Sequence, residues 1–446
     1  MERTALKQLI EWKSRQNRKP LIIHGVRQAG KTWLMKEFGR LSYKNTVYVN
    51  FERNARIREA FAKDIAPQRL LLVLEAEHNT KIIPEECLII FDEIQAQPMA
   101  ITSLKYFYEE MPQLNIVCAG SLLGVALHNG VSYPVGKTET MALPPMSFRE
   151  FLMAMGEEKL CGLLSSNDYE LIGIFKTKLL DLLKQYMFVG GMPEAVAKFA
   201  QNRDIPAVRR IQKNILNDYK SDFSKHIPHN LLSKTSLLWD SIPAQLSKEN
   251  KKFVYKEVIP NSRAKDFEDC ISWLEQSGLI YKICRISKPF LPLSAYRKDN
   301  IFKIFMSDIG LLACMSGVEP NVIIDGDRLF TEFKGALAEQ LVLQELKTIE
   351  DADIYYWAND KTNVSEVDFL IQHKGRIIPA EAKAGINLKA KSLKSYIEQF
   401  QPEVALRFSA ADYKRTGNLY DIPLFLCGEF PVHINRQEKA SLPKPD

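Results

Sequence analysis

LIIHGVRQAGKTWLMKEF, residues 21–38, constrains this chain more than any other stretch. A short apolar run is followed by a glycine-containing octapeptide and then by a segment of helical periodicity. The octapeptide GVRQAGKT, residues 25–32, fits G-x-x-x-x-G-K-[ST]. A strand before it and a helix after it are the context that gives this pattern meaning. Glycines let the backbone wrap an anion, and successive N–H groups plus the helix N-terminus hold it. The spacing therefore predicts a phosphate-binding loop in which Gly25, Arg27, Gln28, Ala29, Gly30, Lys31, Thr32 and Trp33 surround ATP. Lys31 would neutralise the β- and γ-phosphates, and Thr32 would offer its hydroxyl to Mg2+.

LIIFDE, residues 88–93, supplies the complementary half. Four apolar residues end in two adjacent acids, as a doubly buried parallel strand does when its C-terminal edge reaches a ligand. Asp92 is expected to hold Mg2+ and Glu93 to orient an attacking water. The next apolar strand, NIVCAGS, ends at Ser121, which is expected near the γ-phosphate. Oligomeric ATPases often take an arginine from a neighbouring subunit. By position, Arg149, Arg209 and Arg210 are candidates in a homo-oligomer.

At 446 residues, the chain exceeds one ordinary core and suggests roughly two to four domains. Alternating strands and helices over residues 1–150 predict a parallel sheet wrapped by helices. Residues 151–245 read as a helical lid. Residues 246–327 follow a helix–helix–strand order that fits either a winged helix or a plain helical subdomain. Residues 328–430 alternate helix and strand as a small α/β domain, and 431–446 form a tail. Hydrophobic residues at 46% and charged residues at 26% match a water-exposed globular protein. The formal net charge of +6 permits nucleic-acid binding without requiring it. Seven cysteines without metal spacing argue against a disulfide framework or structural zinc. No secretory signal is evident, and no apolar run reaches the roughly 18–20 residues of a membrane span. A cytoplasmic protein with no membrane partner is expected.

GVRQAGKT, IIFDEIQ, CAGSLLG, ALPPMSFREFL and FVGGMPEAV occur in this order, followed by KIFMSDIGLLAC and GALAEQLVLQEL. Together they resemble a bacterial and archaeal family of AAA-type ATPases whose C-terminal region is a domain of unknown function. That resemblance implies a P-loop core, a helical lid, a winged-helix segment and a C-terminal fold similar to PD-(D/E)xK nucleases.

EVDFLIQHKGRIIPAEAK, residues 366–383, reads independently as two strands around a Lys374-Gly375 turn. In that register Asp368 faces Glu381, and Glu366 faces Lys383. Strand alternation then puts all four on one face and Phe369, Ile371, Ile378, Ala380 and Ala382 on the other. Opposed carboxylates repel unless something compensates them, and a divalent cation is one solution. The D…ExK pattern resembles the nuclease site, which implies Asp368, Glu381 and helix-borne Glu339 as metal ligands and Lys383 as a catalytic group. A structural version of the same fold that cuts nothing, and an unrelated hairpin, remain alternatives. Arg263, Lys265, Lys282, Arg285, Lys288, Arg297 and Lys298, interleaved with aromatics, suit either DNA phosphates or a protein partner. Two functions therefore stay open: an ATPase coupled to DNA binding or processing, and a nucleotide-gated switch that binds its partner without cleaving it.

Overall fold

The computed structural model describes residues 1–120, 134–248, 251–319, 334–359, 365–386 and 391–435. The chain divides into two compact units. One holds Glu2–Pro144 together with Ser272–Leu279, and the other holds Pro145–Ile271 and the chain from Ile280 onward.

The first unit is built on five parallel strands: β1 (Leu21–His24), β2 (Asn45–Asn50), β3 (Cys87–Asp92), β4 (Asn115–Ala119) and β5 (Glu139–Ala142). Their spatial order is β2-β3-β4-β1-β5. Helices α1 (Ala5–Ser14), α2 (Lys31–Ser42), α3 (Ala55–Lys63), α4 (Pro67–His78) and α5 (Pro98–Glu110) belong to it. The uninterrupted apolar run of β3 is explained by alternation: Ile89 and Phe91 enter one core with Val49, Phe61 and Phe107, while Leu88 and Ile90 enter another with Phe38 and Leu34. The expected strands and helices are present, and β5 adds an edge strand that ETMA did not announce. Only two of its four side chains are even half-buried, so it lacks the apolar run that marks a doubly covered strand.

The second unit begins with helices, including Phe148–Ala154, Lys176–Val189, Ile205–His226 and His229–Leu246. It then forms an eight-stranded sheet in the order β12-β13-β11-β10-β9-β8-β6-β7. These strands are β6 (Ile280–Ile286), β7 (Arg297–Met306), β8 (Ala352–Ala358), β9 (Glu366–His373), β10 (Arg376–Ala382), β11 (Ala405–Ser409), β12 (Lys414–Thr416) and β13 (Leu419–Pro423). The hairpin β6–β7 joins the C-terminal strands through parallel β6–β8 pairing. One sheet thus runs across the boundary expected between residues 327 and 328. Periodicity does not report which strands pair, so this continuity was invisible in the sequence. Helix Lys334–Leu346 is buried along nearly its whole length, with Leu337, Leu341, Val342 and Leu346 fully covered.

The β9–β10 turn places Lys374 and Gly375 at φ 47° and 75°. Positive φ at both central residues is the type I′ pattern of a two-residue hairpin. The ladder runs from His373↔Arg376 to Phe369↔Ala380, the register expected from the sequence.

Candidate functional sites

The phosphate loop sits where β1 ends and α2 begins. Gly25 has φ 152°, and a Cβ there would lie 2.3 Å from the Leu143 carbonyl oxygen, so no larger residue fits. Gln28 and Gly30 also take positive φ (66° and 93°) as the loop turns into the helix. Arg3 Nη1 donates to the Ala29 carbonyl at 2.8 Å and fixes the loop from outside. Lys31 is buried, and its ammonium donates to the carbonyls of Gly25 (2.7 Å) and Val26 (2.9 Å). Burial lowers the Lys31 pKa to about 8 against the opposing pull of Glu93 and Asp92. Trp33 is exposed at the start of α2.

Order β3-β4-β1 carries the end of β3 to the same edge of the sheet as the loop. Thr32 Oγ1 donates to Asp92 Oδ2 at 2.8 Å, Tyr48 Oη donates to the same oxygen at 2.8 Å, and the Glu93 amide donates to Oδ1 at 3.1 Å. Burial, with Asp92 adding to it, pushes the Tyr48 hydroxyl up to about 12, so it stays a donor. A hydroxyl and a carboxylate side by side are the oxygen set that Mg2+ takes in phosphate sites, so the residues fit the ion. Glu93 holds φ 50°, a strained conformation for a non-glycine, and its carboxylate accepts from Gln95 Nε2 at 2.6 Å. The sequence singled out Lys31, Thr32, Asp92 and Glu93, and the fold brings all four together. Tyr48 was missed; its alternating position on β2 is the only sequence signal. Ser121 lies outside the described residues.

A second charged site lies in the other unit, on helix Lys334–Leu346 and strands β7, β9 and β10. Glu339, fully inside, forms ion pairs with Lys251 and with Lys303, the latter at 3.5 Å. Lys303 Nζ also lies 2.5 Å from Glu366 and 5.0 Å from the centre of the Tyr356 ring. Lys383 pairs with Glu381 Oε1 at 2.6 Å, while among the described residues the buried Glu381 Oε2, Glu339 Oε2 and Lys303 Nζ have no hydrogen-bond partner. Asp368 Oδ2 accepts from the Ala382 amide at 2.9 Å. Burial alone would lift the Glu339 pKa, but Lys303 and Lys251 hold it below the ordinary value. Burial, then the charges of Glu339 and Glu381, push the Asp368 pKa well above the carboxylate range. Glu381 is raised by burial, partly offset by Lys383.

The expected residues Glu339, Asp368, Glu381 and Lys383 therefore do share one pocket. Among the described residues, however, no group of three or more His, Cys, Asp or Glu side chains is arranged to hold a metal ion. Glu366 takes Lys303 as its ion-pair partner, whereas hairpin register alone had suggested Lys383. The reason is tertiary: β7 delivers an ammonium that the hairpin does not contain. Lys251 and Lys303 were missed. A lysine inside the apolar run NIFKIFM is the signal that finds Lys303.

Residues 17–152 match a family model described as an AAA domain. Residues 17–152 are an AAA-type P-loop ATPase domain. Two further models, both described as domains of unknown function (DUF8612 and DUF4143), match residues 180–322 and 334–426. Among solved structures, the chain is similar to a Walker-type ATPase of Pyrococcus abyssi, at 14% identity over 70% of this chain and 95% of that one, with a TM-score of 0.45. It is also similar to the ORC1 protein of Aeropyrum pernix in complex with DNA, at 14% identity, coverage of 70% and 91%, and a TM-score of 0.28. AMPPCP-bound DnaA from Aquifex aeolicus shares 14% identity over 55% of this chain and 72% of that one, with a TM-score of 0.29. No curated protein matches the sequence.

Outside the AAA domain's loop, two arginines proposed from the sequence have structural work within the second unit. Arg149 pairs with Glu429 at 2.5 Å, and Arg209 donates to the Val318 carbonyl at 2.7 Å while stacking on Phe188. Arg210 is exposed. The FVGGMPE turn closes against SDIG. A Cβ on Gly190 would meet Asp308 Oδ1 at 2.3 Å, and the Gly191 amide donates to Asp308 Oδ2 at 2.6 Å. Nearby, Glu345 Oε1 accepts from the Phe148 amide at 2.8 Å and lies 3.2 Å from the Tyr186 hydroxyl. Burial raises the Glu345 pKa to about 8. All seven cysteines are free, and no helix among the described residues is long and apolar enough to cross a membrane.

Proposed function

We propose that the chain is a Mg2+-dependent ATPase that acts as a nucleotide-gated switch, with a C-terminal α/β region that engages DNA or a protein partner and does not cut it. The observation that carries the catalytic half is the meeting of Thr32, Asp92 and Tyr48 at one carboxylate oxygen beside Lys31. Lys31 releases its own loop carbonyls and turns to the phosphates when ATP enters. Thr32 and Asp92 would hold Mg2+, which supplies neutralisation of the phosphate oxygens. Glu93, freed from Gln95, accepts a hydrogen bond from water and aligns it for attack on the γ-phosphorus. The test is Glu93→Gln in the full chain. ATP binding should persist while phosphate release stops, and parent-rate hydrolysis by the variant would sink the assignment.

The observation that carries the non-cleaving half is the filling of the acidic pocket by lysines. One observation favours a second reading, metal-dependent cleavage: among the described residues, buried Glu381 Oε2 and Glu339 Oε2 are without a hydrogen-bond partner. Plasmid and single-stranded DNA incubated with Mn2+ or Mg2+ separate the two. Cleavage that disappears in Asp368→Ala establishes the second reading and removes the first. Lys282, Lys288, Arg297 and Lys298, on β6, β7 and their connection, supply the phosphate contacts where DNA is the partner, so binding to DNA should weaken with added salt.

A further inference from the structure

We propose that Lys303 and Lys251 are resident counter-cations that take the electrostatic place of a divalent metal in the C-terminal acidic pocket. The inference rests on the non-cleaving reading and gives it a cause. Lys303 is 0% exposed on β7, and its ammonium is delivered between Glu366 and Glu339. Lys251, 8% exposed, reaches the other oxygen of Glu339. Oε1 of the helix-borne acid is thereby hydrogen-bonded to one ammonium, and Oε2 lies 3.5 Å from the other as an ion pair. The hairpin acids are engaged as well: Asp368 Oδ2 by the Ala382 amide and Glu381 Oε1 by Lys383.

Among the described residues, four acidic side chains (Glu339, Glu366, Asp368, Glu381) thus face three ammoniums (Lys251, Lys303, Lys383). A dication entering this set would meet three positive charges and would have to displace at least one. Lys303 has no solvent to retreat into, since its whole side chain is enclosed and its strand is hydrogen-bonded to β6. Moving its charge without its partners is a large desolvation cost. A pocket built to receive a metal leaves its acid oxygens directed at a common empty point. This pocket directs three of its four acids at lysine nitrogens. Among the described residues, two oxygens in this set, Glu381 Oε2 and Glu339 Oε2, accept no hydrogen bond, and the second of them lies 3.5 Å from the Lys303 ammonium.

The test uses the nucleotide-free full chain carrying Asp92→Asn, which removes the AAA domain's own metal ligand. Mn2+ is titrated and followed by electron paramagnetic resonance. That parent should show no saturable Mn2+ binding. Adding Lys303→Met should create one saturable site, and adding Asp368→Asn on top should abolish it. Saturable Mn2+ binding by the parent that vanishes with Asp368→Asn overturns the proposal, as does a folded Lys303→Met variant that gains no site. If Lys303→Met alone does not fold, Lys303→Met combined with Glu339→Gln should recover the thermal midpoint lost in the single variant. Absence of any recovery overturns the counter-cation role. Metal binding by the parent without DNA cleavage defeats this inference alone, whereas Asp368-dependent cleavage defeats the non-cleaving function as well.

Discussion

Asp92 and Glu339 are both buried acids at the focus of charged sites, yet their partners differ in kind. Asp92 is held by two hydroxyls and an amide. Glu339 is held by two ammonium groups. Neutral donors orient a carboxylate without cancelling its charge, so the first site still attracts a cation. Ammonium groups orient and cancel together, so the second site is electrostatically closed. The lysine of the first site points the same lesson in reverse. Lys31 rests on carbonyl oxygens of its own loop, which are weak partners that a phosphate outcompetes.

The largest expected effect falls on the open site: Lys31→Ala should abolish ATP binding in titration calorimetry. Glu93→Gln should keep that binding and lower turnover about 10²–10⁴-fold, the range of a positioned proton acceptor. In the closed site, Lys303→Ala leaves Glu339 and Glu366 short of a counter-charge and should cost about 3–5 kcal/mol in denaturant unfolding. Failure of that loss would erase the contrast between the sites. A finer probe is pH. The Lys31 ammonium, lowered to about 8 by burial, is the phosphate-binding form, so kcat/KM for ATP should fall as pH rises past that value. Lys31→Arg should move this limb upward out of range, because guanidinium does not titrate there.

The smallest effect concerns Glu345, which shares a helix with Glu339 and is equally buried but has no lysine beside it among its described contacts. Its pKa rises from 4.5 to about 8, chiefly by burial. The sign is that of a raised acid. Folding takes up a proton between those values, so the stabilisation present at low pH is lost as pH climbs through about 8. Glu345→Gln should flatten the dependence of the thermal midpoint on pH across that window. Two glutamates on one helix thus titrate in opposite directions because of what the rest of the fold brings to each.

How much was legible follows from this. The phosphate loop, the acids at the end of β3 and the β9–β10 register could be read because each depends on neighbours in sequence: glycine geometry, apolar alternation and a two-residue turn. The pairing of β6 with β8 could not, because strand partners separated by many residues leave no periodic mark. Nor could Tyr48 on Asp92 or Lys303 on Glu339, which cross between elements.

The sequence by itself determined that a phosphate loop and an acid-tipped strand would form, and that Asp368 and Glu381 would share a face. These are consequences of backbone geometry over short spans. Tertiary structure alone decided what sits against each carboxylate, hydroxyls in one unit and ammoniums in the other. Charge compensation acts through space, and only the assembled fold sets those distances.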